Sequence, residues 1–251
     1  MTYAADSAAW MGEGEILNMK WDTRKITGLA MVAAVSFVVM LPGFYFMAAA
    51  PFLKYETKDV VLSIGGFIYG PIGALAAALV VSFAEMPFSG TGFIGLLMNF
   101  ISSAAFVGIA ALVYRKMRSA KGAAIGLTLG SLAMAAVMLL WNYIITPVYM
   151  GVPRPVVAAM LLPVFLPFNL VKAGLNTALT LFIYKPLTTA LRSARLLPER
   201  DGIIAPIGEA TGTDASGTDV KSRLTVNASL LYGAILLLIA CMIAIYFLIR
   251  P

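Results

Sequence analysis

The fold depends on residues 60–86, which read VVLSIGGFIYGPIGALAAALVVSFAEM. The stretch is long enough for one membrane-crossing helix, since about 20 apolar residues suffice. Gly70-Pro71 lies near its middle, however. Proline removes a helical hydrogen bond and disfavours helical backbone in the preceding residue. The stretch therefore has two interpretations: one long helix, or two short helices that meet at Gly70-Pro71.

The composition of the whole chain places it in a membrane. Of its 251 residues, 61% are hydrophobic and 12% are charged, and the mean hydropathy is +0.90. So few charges cannot cover that much apolar surface in water, so we expect an all-α integral membrane protein. The chain has no histidine and one cysteine, Cys241, which excludes His/Cys zinc sites, haem ligation by histidine, His-based triads and disulfides within the chain. No basic polar domain that would bind nucleic acid is present in the sequence.

The distribution of positive charge decides between the two interpretations. Apolar runs predict helices at 26–47, 93–114, 123–147, 160–184 and 228–249. Basic residues gather at 20–25, 115–121 and 185–200, and all three groups lie on the cytoplasmic side only if 60–86 crosses twice. We therefore predict short spans at about 60–70 and 71–86, which must be tilted, shielded by neighbouring helices or placed where the bilayer is thin.

This topology divides the chain into four parts. Residues 1–23 form a cytoplasmic N-terminal tail, 24–187 a six-span membrane domain, 188–226 a polar flexible linker and 227–251 an additional transmembrane helix. The loop at 48–59 lies outside and is either a lid over an outward-facing cavity or an ordinary surface loop.

Polar residues at membrane depth are costly and usually line a cavity. In the sixth span, Asn169, Lys172 and Asn176 share one helix face at positions i, i+3 and i+7. The asparagines could instead join helices, and Lys172 could extend to an interface. Because Lys172 lies about 18 Å from either end of its span, we favour an interior or ligand role for it.

Three further polar residues have two interpretations each. Asn142 lies between Trp141 and Tyr143, which suits either a planar ligand or an interfacial aromatic belt. Asn99 is better explained as a structural hydrogen-bonding residue. Glu85 could line the mouth of a pocket, but we favour a solvated position.

Several motifs occur together in a recognisable order. They are Ala30-xxx-Ala34, Phe52-Leu53-Lys54-Tyr55-Glu56 before Asp59-Val60, Gly65-Gly66-Phe67-xx-Gly70-Pro71-xx-Gly73, Gly92–Phe100 (GFIGLLMNF), Trp141-Asn142-Tyr143 with Pro147 and Tyr149, and Pro167-Phe168-Asn169-xx-Lys172. Over residues 24–187 the chain resembles the substrate-binding S components of energy-coupling factor (ECF) vitamin transporters, most closely the riboflavin-specific type. No phosphate-binding loop, nucleophile elbow or metal cluster is evident in the sequence, so we expect transport rather than catalysis.

The resemblance implies a six-helix bundle that holds one vitamin beneath the first outer loop, with one extra C-terminal helix here. It assigns ligand contacts to Asn142, Asn169 and Lys172, and no cofactor. With the loop and the polar residues above, the candidate substrate-binding set is Phe52, Lys54, Tyr55, Glu85, Asn99, Asn142, Asn169 and Lys172. The resemblance also implies that the Ala30/Ala34 face docks on a membrane-embedded T component, which couples to two cytoplasmic ATPases in the cell membrane.

Two alternatives remain open at this point. The cargo could be another vitamin or precursor, such as pantothenate, thiamine or a nucleobase-like compound. The chain could also be a non-transporting membrane scaffold whose asparagines only join helices. The extra helix at 228–249 has three open roles: stabilising the complex, engaging a partner or anchoring the tail.

Overall fold

The computed structural model describes residues 22–46, 53–90, 92–193 and 228–249. Phe52, most of the predicted N-terminal tail and most of the predicted linker lie outside these ranges. The described helices are α1 (Thr23–Met40), α2 (Lys58–Tyr69), α3 (Pro71–Glu85), α4 (Gly92–Met117), α5 (Ala120–Met150), α6 (Arg154–Met160), α7 (Leu166–Ser193) and α8 (Ala228–Ile249). A 3₁₀ turn (Met86–Phe88) follows α3, a π-helical turn (Leu161–Phe165) joins α6 to α7, and β1 (Phe44–Tyr45) pairs with β2 (Lys54–Tyr55).

The stretch at 60–86 forms two helices, α2 and α3, as predicted from Gly70-Pro71. Gly70 separates them with φ +88° and ψ 170°, a backbone conformation that only glycine adopts readily. Lys58 at the start of α2 forms an ion pair with Glu85 at the end of α3, so the two helices are antiparallel. The chain therefore makes a tight helical hairpin at this position.

Helix α2 is too short to span a bilayer by itself. Its 12 residues rise about 18 Å, whereas the hydrocarbon core is about 30 Å thick. Ten of the 12 are buried, and the helix packs against α1, α3, α4 and α7. Neighbouring helices therefore shield it. Elsewhere in the described ranges, five stretches are long and apolar enough to cross a membrane: Thr23–Met40, Pro71–Phe88, Gly92–Met117, Ala120–Met150 and Arg154–Tyr184.

Several predicted boundaries were wrong. The first helix ends at Met40 rather than 47, because Pro42-Gly43 turns the chain into strand β1. The sixth apolar segment begins at Arg154 rather than 160. Pro163 and Pro167 cannot donate backbone hydrogen bonds, and a π-helical turn adjoins them. Helix α7 runs to Ser193, so the first residues of the predicted linker are helical.

Small residues bring the long helices α4 and α5 close together. A side chain on Gly130 would place its Cβ 2.4 Å from the carbonyl oxygen of Phe106, and one on Gly126 would lie 2.7 Å from that of Ala110. Close backbone approach is a common way to pack helices in lipid, where the hydrophobic effect supplies no drive for association. The central apolar core, which includes Phe106, forms beside this contact.

Candidate substrate compartment

The described end of the loop predicted at 48–59 is packed against the bundle rather than exposed as a surface loop, since Leu53, Tyr55 and Glu56 are buried. Strand β2 pairs with β1 in an antiparallel register, Phe44 opposite Tyr55 and Tyr45 opposite Lys54. Below this hairpin, Phe46 stacks on Phe168 of α7, with ring centroids 5.2 Å apart and planes 21° from parallel. Tyr55 is only 2% exposed. We use the term lid hairpin for residues 44–46 and 53–57.

A chain of hydrogen bonds attaches the lid hairpin to three helices. The Tyr55 hydroxyl donates to Oδ1 of Asn176 on α7 at 3.0 Å. The amide of Asn176 donates in turn to Asp59 of α2 at 3.4 Å, and the hydroxyl of Ser103 on α4 donates to the other Asp59 oxygen at 2.5 Å. Burial, and next the charge of Asp59, raise the pKa of Tyr55 well above its ordinary value, so this phenol stays a hydrogen-bond donor at physiological pH.

An ion cluster lies beside this chain of hydrogen bonds. Lys58, which is 1% exposed, contacts Glu85 and lies 3.0 Å from Glu56. Lys54 lies 3.4 Å from the same Glu56, and the Asn99 amide donates to Glu85 at 2.6 Å. The cluster therefore links the lid hairpin to α2, α3 and α4.

The expectation that Glu85 is solvated was wrong, since its side chain is buried at 4% exposure. Hydropathy alone places a glutamate at the end of a helix in water. In the folded chain, Lys58 and Asn99 replace that water with charge-assisted hydrogen bonds. Asn99 forms a hydrogen bond with Glu85, and its ligand role stays a prediction.

Lys172 lies in the interior of the protein at 6% exposure, which excludes extension to an interface. Burial favours a high pKa for the nearby Glu56 carboxyl, but attraction from Lys58 and then Lys172 outweighs burial and holds the Glu56 pKa below its ordinary value. Lys172 therefore acts electrostatically on the ion cluster. Asn169 and Asn176, on the same face of α7, are also buried.

The remaining predicted ligand residues form hydrogen bonds within their own helices. The amide of Asn142 donates to the carbonyl of Met138 at 2.7 Å, and Asn142 Oδ1 accepts from Thr146 at 2.8 Å. The amide of Asn169 donates to the carbonyl of Phe165 at 2.7 Å. Such bonds to the preceding turn satisfy an amide inside lipid and can be exchanged for a ligand.

The structure thus places Lys54, Glu85 and Asn99 in the ion cluster and Tyr55 in the adjoining chain of hydrogen bonds, with Lys172 close by, while Phe52 lies outside the described residues; we call the two groups together the polar network. The predicted set omitted Glu56, Lys58, Asp59, Ser103 and Asn176, which complete the network. The sequence contained a signal for two of them: Lys58 and Asp59 begin an otherwise uncharged helix, and they cannot both remain in water if that helix is buried.

Comparison with known proteins assigns this architecture to a family. The model for the substrate-specific component of ECF transporters matches residues 24–184. The chain belongs to this family. It is therefore an S component and a multi-pass membrane protein, and the fold expectation is confirmed.

Individual relatives are transporters. The riboflavin transporter FmnP of Bacillus subtilis is 29% identical over 186 residues, covering 69% of this chain and 98% of the relative. The riboflavin transporter RibU of Staphylococcus aureus is 28% identical over 182 residues, covering 70% and 96%. A solved S component of a bacterial ECF transporter superposes with a TM-score of 0.58 at 25% identity, covering 67% of this chain and 98% of that structure. The unmatched part of this chain includes α8.

Proposed function

We propose that this S component captures riboflavin from outside the cell for ATP-driven uptake. The observation that carries the proposal is the set of buried polar residues beneath the lid hairpin, in a chain similar over nearly their full length to two riboflavin transporters. Isoalloxazine has carbonyl and ring-nitrogen acceptors for hydrogen bonds. The amides of Asn142 and Asn169 can donate to them when they release their bonds to the preceding helical turn, and so can the ammonium group of Lys172. The stacked Phe46 and Phe168 rings offer a flat apolar surface beside them.

The lid supplies a second part of the mechanism. Tyr55 and Glu56 fasten the lid hairpin to the bundle through Asn176 and Lys58, and Lys54 pairs with Glu56 within the lid. Opening the lid exposes these groups to water, which can solvate them. When the ligand has bound, the same contacts must re-form around it. Closing the lid in this way excludes water from the polar edge of the ligand.

Binding can be tested by purifying the protein and titrating riboflavin against flavin fluorescence. Lys172→Met and Asn142→Ala are each expected to weaken binding roughly five- to 150-fold, because a lost hydrogen bond to a buried ligand costs about 1–3 kcal/mol. The matched control is Lys121→Met, at an exposed lysine in the first turn of α5. Failure of the parent protein to quench flavin fluorescence would reject riboflavin, and mass spectrometry of co-purified ligand would then identify another vitamin.

The proposed partners are a membrane-embedded T component and two cytoplasmic ATPases. Ala30 and Ala34 lie on the exposed side of α1, next to Met31 and Val35, whereas Leu29 on the opposite side is buried. A face that combines small residues with exposed apolar ones suits close helix packing in lipid. Ala34→Trp is expected to abolish uptake and co-purification of the T component while leaving riboflavin binding intact, and Leu132→Trp on the exposed side of α5 is the matched control.

The proposed site of action is the cell membrane, with the N-terminus in the cytoplasm. Arg24 and Lys25 lie at the start of α1, and the basic segment 115–121 covers the end of α4 and the start of α5; both are at the end of the bundle away from the lid hairpin. This arrangement obeys the positive-inside rule. A cysteine at Ser119 is therefore expected to react with membrane-impermeant maleimide in inside-out vesicles and not in intact cells.

A further inference from the structure

Helix α8 lies outside the region shared with the family, yet it packs closely on α7. A side chain on Gly174 of α7 would place its Cβ 2.7 Å from the sulfur of Cys241 on α8. The same sulfur lies 4.0 Å from the carbonyl oxygen of Val171. Ala234, Cys241 and Ile245 are all less than one tenth exposed, so α8 has a defined face toward α7. We call this contact the α7–α8 seam.

The seam lies on the side of α7 opposite its polar face. At 100° per residue, Gly174 is about 160° around the helix from Asn176, and Val171 is about 160° from Asn169. Helix α7 is therefore held between the substrate compartment on one side and α8 on the other. A movement of α8 changes the support of the helix that carries Lys172.

The seam is also continuous with the lid hairpin. One apolar cluster contains residues of the lid, α6, the π-helical turn, α7 and α8: Phe46, Leu53, Tyr55, Val157, Val164, Phe165, Phe168, Val171, Leu175, Cys241 and Ile245. Tyr55 thus belongs to the same apolar cluster as Cys241 and Ile245 of α8, while its hydroxyl bonds Asn176 on the polar face of α7.

We propose that α8 is a positioning element for the lid: it fixes the apolar wall against which the lid hairpin closes, so that the tightness of the α7–α8 seam sets how fast the lid opens. The inference rests on the proposed function for the identity of the cargo. It adds a control of riboflavin release that lies outside the region shared with the matched relatives.

Locking the seam provides the first test. Gly174→Cys places a second thiol opposite Cys241 at a separation close to the roughly 3 Å between a Cβ and the distal sulfur of a disulfide. After treatment with a membrane-permeant oxidant, we expect lid amides at 53–57 to exchange hydrogen at least about fivefold more slowly, and riboflavin to dissociate more slowly by a similar factor. Reductant should reverse both effects. The control is Gly174→Cys with Cys241→Ser, which carries the same change in α7 but cannot form the bond.

Opening the seam provides the second test. Gly174→Leu forces α8 away from α7 and should speed lid exchange and riboflavin release at least about fivefold, given the usual cost of overpacking. Gly233→Leu is the matched control, since no atom lies within 4 Å of a Cβ at Gly233. If Gly174→Leu fails to fold, the disulfide variant still decides the question.

The outcomes separate the two proposals. Hydrogen exchange of the lid needs no ligand, so a changed exchange rate supports the role of α8 even if the parent protein binds no riboflavin. Failure of the parent protein to bind riboflavin would reject only the proposed function. Unchanged lid exchange in the oxidised Gly174→Cys protein, with the disulfide verified by mass spectrometry, would overturn the role of α8. The role of α8 would also be overturned if the parent protein binds riboflavin but the rate of riboflavin release is the same in the seam variants.

Discussion

Replacing Lys58 by methionine removes a positive charge from a cluster in which charges balance. Lys54, Lys58 and Lys172 oppose Glu56, Asp59 and Glu85, three positive against three negative. Methionine keeps an unbranched side chain only one atom shorter than lysine but leaves Glu85 and Glu56 without their shared partner. Removing one member of a buried ion pair costs about 3–5 kcal/mol, because the remaining charge stays desolvated.

This magnitude can be measured as thermal stability in detergent, using loss of the monodisperse peak on size exclusion after heating. For a chain of this length, 1 kcal/mol corresponds to about 2–4 °C, so the midpoint for Lys58→Met should fall by roughly 6–20 °C. Lys54→Met is the matched control, since the Lys54 side chain is 29% exposed and its pair with Glu56 is worth at most about 1 kcal/mol.

A double-mutant cycle tests the reasoning more sharply. Adding Glu85→Gln to Lys58→Met removes the orphaned negative charge, so the double variant should recover at least about half of the lost stability. The ion cluster does not stabilise the lid if the losses of stability from the two changes are additive, or if Lys58→Met lowers the thermal midpoint no more than Lys54→Met does.

Two further predictions concern the lid and the helical hairpin. Attraction to Lys58 and Lys172 overcomes burial and holds the native pKa of Glu56 below its ordinary value of 4.5. The ionised Glu56 therefore stabilises the folded protein above about pH 4.5, and this stability is lost as the pH falls through the native pKa. Thermal midpoints should therefore decline on acidification below that pH, and less steeply in Glu56→Gln; equal acid slopes would contradict this. Gly70→Ala should lower the free energy of unfolding, measured in urea, by about 1–3 kcal/mol, because φ at this residue is +88°. No atom lies within 4 Å of the added Cβ, so the loss comes from the backbone alone. Gly233→Ala, inside α8 with equally open surroundings, should be neutral or stabilising, and similar losses in both would argue against backbone strain at Gly70.

The break in the helix at Gly70-Pro71 and the polar face of α7 could be predicted because their causes are local, whereas the choice of two spans over one came from the basic residues along the whole chain. Proline and the glycine before it act within one helical turn, and the spacing of Asn169, Lys172 and Asn176 places them on one face of any helix. The burial of Lys172 follows from the same argument, since a charge that far from both ends of a span cannot reach water easily. The ligand roles of these residues stay predictions.

The environment of Glu85 and the structure of the outer loop could not be predicted in the same way. Glu85 lies 27 residues from Lys58, and Tyr55 lies 121 residues from Asn176, so neither contact has a signature in a local pattern. Hydropathy also could not predict that α1 ends at Met40, because the residues that follow, Phe44, Tyr45 and Phe46, are equally apolar whether they form a strand or a helix.

The amino-acid sequence by itself determined that this protein lives in a bilayer, that its second apolar stretch turns back at Gly70-Pro71, and that Lys172 is a rare charge at membrane depth. Only the tertiary structure decided how the remaining charges are used. It brings Lys58 and Glu85 together with Glu56 of the lid hairpin and sets α8 against the back of α7. The physical reason is that hydrophobicity and backbone preference act along the chain, whereas a buried charge or a helix seam is stable only when partners distant in sequence arrive in register.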